Sequence, residues 1–175
     1  MFINKMKSLK IIPLLFAFFA VPLSENLVQA GDVNPKNYKV LSNNKNLSIA
    51  NVEYYLKEGD EFVQNGDFDE AKDSYLDARK LAKQLASFYS DLNSSFKGID
   101  ARIPNEMQRK GKETLQILAE SNGRLASLYL KTGKPEVAVP LLIETIRIMS
   151  PNSQEGKEAY ERLIQLGFVE TKYKG

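Results

Sequence analysis

Chemistry has few places to start in a chain of 175 residues that contains neither His nor Cys. Without imidazole there is no Ser-His-Asp relay, no nitrogen ligand for a metal and no group that titrates near neutrality. Without thiol there is no cysteine nucleophile, no thiolate zinc or iron–sulfur site and no disulfide. A general acid or base would have to be a tuned carboxylate, Lys or Tyr. Ser94 and Lys97 stand in Ser-x-x-Lys spacing, which on a helix puts hydroxyl and amine on one face, as in serine enzymes with a lysine base; the companion motifs of those enzymes are absent. Asn65, Asp67 and Asp69 alternate like the first ligands of a calcium loop, but the sixth and twelfth places, which need Gly and Glu, hold Glu70 and Leu76. An inter-helix turn accounts for them better. The carboxylate pairs Asp69/Asp73 and Asp73/Asp77 have helical spacing and read as a solvated acidic face. The expectation is a protein that is not an enzyme, with no catalytic residue, no metal and no cofactor.

The elements that would position a binding surface begin only after the first thirty residues, which read as an export signal. Lys5, Lys7 and Lys10 form a positive start, Ile11 to Leu23 carries no polar side chain, and Val28-Gln29-Ala30 supplies small-residue cleavage chemistry before Gly31. The apolar run carries Pro13 and Pro22 and is shorter than the roughly 20 residues of a membrane span. Cleavage after Ala30 is expected, which places the protein in an exported compartment, periplasm or thylakoid lumen. Removing residues 1–30 leaves basic and acidic side chains equal in number. A neutral exported domain is a poor nucleic-acid binder. Without Cys, it has to hold together by packing alone.

Residues 31–47, rich in Asn and Lys, read as a flexible arm. From Ser48 the apolar residues recur with helical period. A first helix, about Ser48 to Gln64, stops at Asn65-Gly66. Asp67 is placed to cap the second, with Glu70 as its capping-box partner. The second helix carries Ala71, Tyr75, Ala78, Ala82, Leu85, Tyr89, Leu92, Phe96, Ile99 and Ile103 in alternating steps of four and three, a seam that Pro104 should end. A third helix from about Asn105 repeats the rhythm through Leu115, Leu118, Asn122, Leu125 and Tyr129 up to Gly133. A fourth spans about Pro135 to Met149 and a fifth about Ser153 to Leu166. The tail is expected to fold back through Phe168 and Val169. Two long seams joined by a short break predict an antiparallel αα-hairpin.

Two segments resemble each other. One is Tyr55…Gly59…Phe62…Gly66-Asp67-Phe68…Ala71…Tyr75…Ala78; the other is Leu125-Ala126…Tyr129…Gly133-Lys134-Pro135…Ala138…Leu142…Thr145. Both resemble the tetratricopeptide repeat (TPR), in which large and small residues of one helix meet a small residue at the start of the next. Tyr55 and Asn122 stand where the family has Trp, and Glu58 where it has Leu. Ala71 and Ala138 are 67 residues apart, near two repeats, yet the middle does not scan as a repeat. The fold class implied is all-α: TPR-like antiparallel hairpins, about five helices, with an extended central αα-hairpin. The stretch from Leu92 to Phe168, with SSFKGIDARIP and GKPEVAVPLL, also resembles uncharacterised exported proteins of photosynthetic bacteria.

The TPR resemblance implies an interaction module or assembly scaffold with a protein or peptide partner. Its inner groove would present Glu53, Leu56, Asp60, Val63 and Gln64 from the first unit, and Glu120, Gly123, Ser127, Leu130 and Lys131 from the second. Charge layout suggests a second surface. Residues 51–96 hold 5 basic and 10 acidic groups, and residues 97–134 hold 8 basic and 4 acidic. Either the acidic hairpin faces the basic helix, or Lys97, Arg102, Arg109, Lys110 and Lys112 form a basic patch at the hairpin tip that meets an acidic protein or an anionic lipid surface. The rival readings are a self-associating helical bundle and a carboxylate-based hydrolase or small-ligand carrier. Oligomeric state is left open.

Overall fold

The computed structural model describes residues 47–174. The export signal and all of the arm except Leu47 lie outside the described residues. The described chain is five helices: α1 Ile49–Asn65, α2 Phe68–Ser95, α3 Arg102–Lys131, α4 Pro135–Met149 and α5 Gln154–Gln165. It is an all-α, TPR-like stack of antiparallel hairpins.

Local chemistry sets most boundaries. The Ser48 hydroxyl accepts from the Asn51 amide and opens α1; the Ser153 hydroxyl accepts from the Gly156 amide and opens α5. α1 and α3 end in one turn used twice. Gly66 (φ 88°) and Gly133 (φ 72°) are left-handed. The next amide reaches back in each case, Asp67 to the Phe62 carbonyl at 2.9 Å and Lys134 to the Tyr129 carbonyl at 2.8 Å. Only Gly adopts that φ without Cβ strain. Asp67 does occupy the position before α2, but its side chain makes no capping bond, so the expected capping box does not form.

The α2–α3 boundary departs from expectation. α2 ends at Ser95 rather than Ile103, and Gly98 (φ 83°) turns the chain. The Asp100 carboxylate then accepts from the Arg102 amide at 2.9 Å, which starts α3 there. Pro104 falls in the first turn of α3, where its missing N–H is not needed, so it opens a helix instead of closing one. Lys97 lies past the end of α2, so Ser94 and Lys97 do not share a helix face.

A single apolar cluster draws on all five helices, with Val52, Leu85, Leu125 and Leu142 essentially sealed from solvent. At the α1–α2 crossing the ring of Tyr75 lies against the backbone of Gly59, where a Cβ would clash with the ring edge at Cε1 and Cδ1. Ala71, Ala126 and Ala138, all fully buried, give the same closeness elsewhere. The cluster stops partway along the central hairpin. Past Leu85 on α2 and before Thr114 on α3, Met107 is the single buried residue among those described. Tyr89, Leu92, Phe96 and Ile103 are half-buried there, and Ile99 is 77% exposed. α2 and α3 have therefore outgrown the repeat core and form a two-helix arm about 15 Å long. The tail folds back through Val169, and through Tyr160, whose hydroxyl donates to the Thr171 carbonyl at 2.7 Å; Phe168 stays exposed.

Candidate protein-binding groove

α1, α3 and α5 line one concave face and enclose a groove of about 530 Å³. Its floor is apolar, with Val63, Leu128, Leu142 and Ala159, and its walls are charged. Asp60 on α1 is the hub of one wall. It accepts from the Tyr75 hydroxyl at 2.6 Å and from Arg124 Nε at 3.0 and 3.1 Å. Arg124 also donates through Nη1 to Glu120 at 2.6 Å. Burial, and then the bond to Asp60, push the Tyr75 hydroxyl well above the usual tyrosine range. Burial alone would weaken the charge on Arg124, but the bonds to Glu120 and Asp60 outweigh it and raise its pKa. Arg124 therefore stays charged, and Tyr75 stays a donor, at any physiological pH.

The other wall joins α3 to α5. Arg162 Nη1 donates to Ser127 Oγ at 2.8 Å and lies 3.5 Å from the Gly123 carbonyl. Gln116 donates to Glu155. The Glu155 carboxylate is held below its ordinary range, first by its own backbone amide and then by Gln116. Between the walls, a Cβ built on Gly123 would meet nothing within 4 Å, so the groove is open over that residue.

Of the groove residues expected from sequence, Asp60, Val63, Glu120, Gly123, Ser127 and Lys131 line the groove together. Four do not. Leu56 is buried in the core, Leu130 packs half-buried against it, and Glu53 and Gln64 are solvent-exposed and away from the lining. Sequence reasoning missed Tyr75, Arg124 and all of α5: Glu155, Glu158 and Arg162. Arg124 follows Gly123 and could have been found by asking which cation balances Asp60; α5 is not part of either repeat-like segment, so nothing in the repeat pattern pointed to it.

A second polar cluster lies between α2, α3 and α4. Asn122 is 0% exposed, yet its amide accepts from Arg79 Nε at 2.7 Å and donates to Glu144 at 3.2 Å. Glu144 also takes Arg79 Nη2 at 2.6 Å and Lys83 Nζ at 2.7 Å. Burial pushes the Glu144 carboxyl up, but the bonds from Lys83 and Arg79 prevail and hold it below its ordinary range. Among the described residues no buried side-chain nitrogen or oxygen lacks a partner, and no cluster of three or more carboxylates is arranged to hold a metal.

The tip residues are dispersed along the arm. Arg102 is taken up by Asp100 at 2.7 Å, and Lys110 by Glu106 at 2.9 Å while it also lies over the Tyr89 ring. Lys97, Arg109 and Lys112 are exposed and form no ion pair among the described residues. Among the described residues the expected match of acidic hairpin to basic helix occurs at one ion pair, Asp60–Arg124.

The tetratricopeptide repeat family model matches residues 52–85. That stretch is α1 with the part of α2 that reaches the core, and it ends at Leu85, where the arm begins. No curated protein and no solved structure matches the chain. The match and the helical stack define a TPR-like protein, whose repeat class serves contacts between proteins.

Proposed function

We propose that this chain is an exported, non-catalytic TPR-like interaction module, or assembly scaffold, that holds a segment of a partner protein in the α1–α3–α5 groove. The observation that carries the reading is the groove itself, an apolar floor between two walls of fixed charge, open above Gly123. Such a surface suits a peptide chain, which offers apolar and charged side chains in alternation. Gly123→Trp tests it. The new Cβ meets nothing within 4 Å and the ring extends from it into the groove; circular dichroism and the thermal midpoint check that the fold is retained. Affinity capture from native membranes, with the chain expressed from its full sequence and tagged at the C-terminus, should recover a partner with the native groove and lose it with Gly123→Trp. Equal recovery from both would refute the groove reading.

The export part of the proposal rests on Lys5 to Ala30 and has its own test. Sequencing the N-terminus of the native protein should return Gly31; Met1 on a membrane-bound product would convert the signal to an anchor. The arm tip offers a separate, peripheral contact with an acidic protein or membrane surface through Lys97, Arg109 and Lys112. Reversing the charges of Lys97 and Arg109 should leave stability within about 0.5 kcal/mol, being surface changes, and should weaken partner capture; unchanged capture would refute the tip contact.

A further inference from the structure

Four charged side chains in the groove have no oppositely charged partner among the described residues. Glu155 takes a bond from Gln116 and Glu158 one from Gln154. Arg162 donates to Ser127 and the Gly123 carbonyl, and Lys131 lies over the Phe68 ring at 4.7 Å. Each is held by a neutral group and keeps its charge for something else. They are also sorted by sign. Gln116 meets Glu155 and Ser127 meets Arg162, so α3 and α5 run in the same direction. Glu155 and Glu158, with Glu120 beside them, stand at the end from which the arm leaves; Arg162 and Lys131 stand at the other. Between them lies the apolar floor.

From this we infer that the groove reads direction: it takes a partner segment with a basic side chain at one end and an acidic side chain at the other, in one orientation. The spacing follows from helix geometry. Glu155 and Arg162, neither with a countercharge, are seven residues apart on α5, about 10 Å along the axis. An extended chain advances about 3.3 Å per residue, so it spans that distance in about three residues. The partner motif is therefore a basic and an acidic residue about three apart, with apolar residues between. Reversed, the segment would set like charges against each other at both ends, which discriminates against it.

This inference rests on the groove reading, and one experiment separates the two. A random peptide display library is selected on the whole chain, with the Gly123→Trp variant as counter-selector. Peptides that depend on the open groove should carry the charge pair at that spacing and in one order. Selection on Arg162→Glu should replace the acidic residue by a basic one and leave the other end unchanged; selection on the double variant Glu155→Lys, Glu158→Lys should do the converse. With a selected peptide, Arg162→Gln and Glu158→Gln should each weaken binding about fivefold, Glu158→Gln at unchanged thermal midpoint and Arg162→Gln with the fold retained by circular dichroism. Groove-dependent peptides without the pair, or with the same pair after both reversals, would overturn the inference and leave the groove standing. A library with no peptide that Gly123→Trp blocks would overturn the groove reading as well.

Discussion

Asn122 sits at the centre of the molecule's least apolar interior, and its neighbours make that tolerable. Glu144 forms ion pairs with both Arg79 and Lys83, and Asn122 bridges Arg79 to Glu144. Glu144→Ala leaves a buried amide half-satisfied and Arg79, Lys83 and Arg147 without their carboxylate, and should cost about 3 kcal/mol by chemical denaturation. The same carboxylate gives the fold an acid limit. Its pKa is lowered in the folded protein, so its contribution is complete above the ordinary value of 4.5 and is lost as pH falls below that. Thermal midpoints of the native chain should drop through that window; those of Glu144→Gln, lower at neutral pH, should change less across it. In the sequence Asn122 is legible as a seam position but not as a polar hub. Arg79, Lys83 and Glu144 lie far from it along the chain, and no spacing rule joins them.

Among the helices, the crossings decide stability, and the glycines separate into kinds. At Gly59 the usual gain from Gly→Ala in a helix, about 0.5–1 kcal/mol, is reversed because the new Cβ clashes with the edge of the Tyr75 ring, which is itself packed and bonded to Asp60. Gly59→Ala should destabilise by about 2 kcal/mol. Gly156→Ala should be worse, since its Cβ would meet the backbone of Ser150 and Pro151, which cannot rotate away. Gly123→Ala, with nothing in reach, should stabilise. Thermal melts of the three variants check the order. Ala71→Leu and Ala138→Leu should each cost about 1–3 kcal/mol by overpacking. The apolar period and the cap residues made α1, α4 and α5 readable to within a residue or two. It did not place the α2–α3 turn, because the apolar period runs on through Ile99 and Ile103 while the break is made by Gly98 and the Asp100 cap. Nor did it reveal Gly156, whose neighbour is a turn and not a helix.

At the scale of the whole molecule the fold is two repeat-like hairpins joined by an arm that neither of them needs for its core. Met107 apart, burial ends near Leu85 and resumes near Thr114, so local opening should be cheap between those points and costly elsewhere. Hydrogen exchange followed by mass spectrometry should find the amides of residues 90–110 exchanging well before those of α1, the start of α2, the second half of α3 and α4. The arm's existence was legible from the long seams. The groove was legible in part, because the repeat pattern fixes which faces of α1 and α3 turn inward, whereas α5 enters it by tertiary packing alone.

The turn at Phe96–Ala101 has a consequence for how the chain can be divided. It lies at the far end of the arm, away from every buried contact between hairpins, and Lys97 and Arg102 are exposed there. A cut at either bond severs the polypeptide without removing a core residue. One piece is the α1–α2 hairpin and the other carries α3, α4 and α5 with their turns, and α2 and α1 still have α3 to pack against. Brief trypsin treatment should therefore give two fragments that separate in denaturant but travel together on native sizing. The same site should accept new chain ends, so that two halves produced separately reassemble into the groove that neither contains alone.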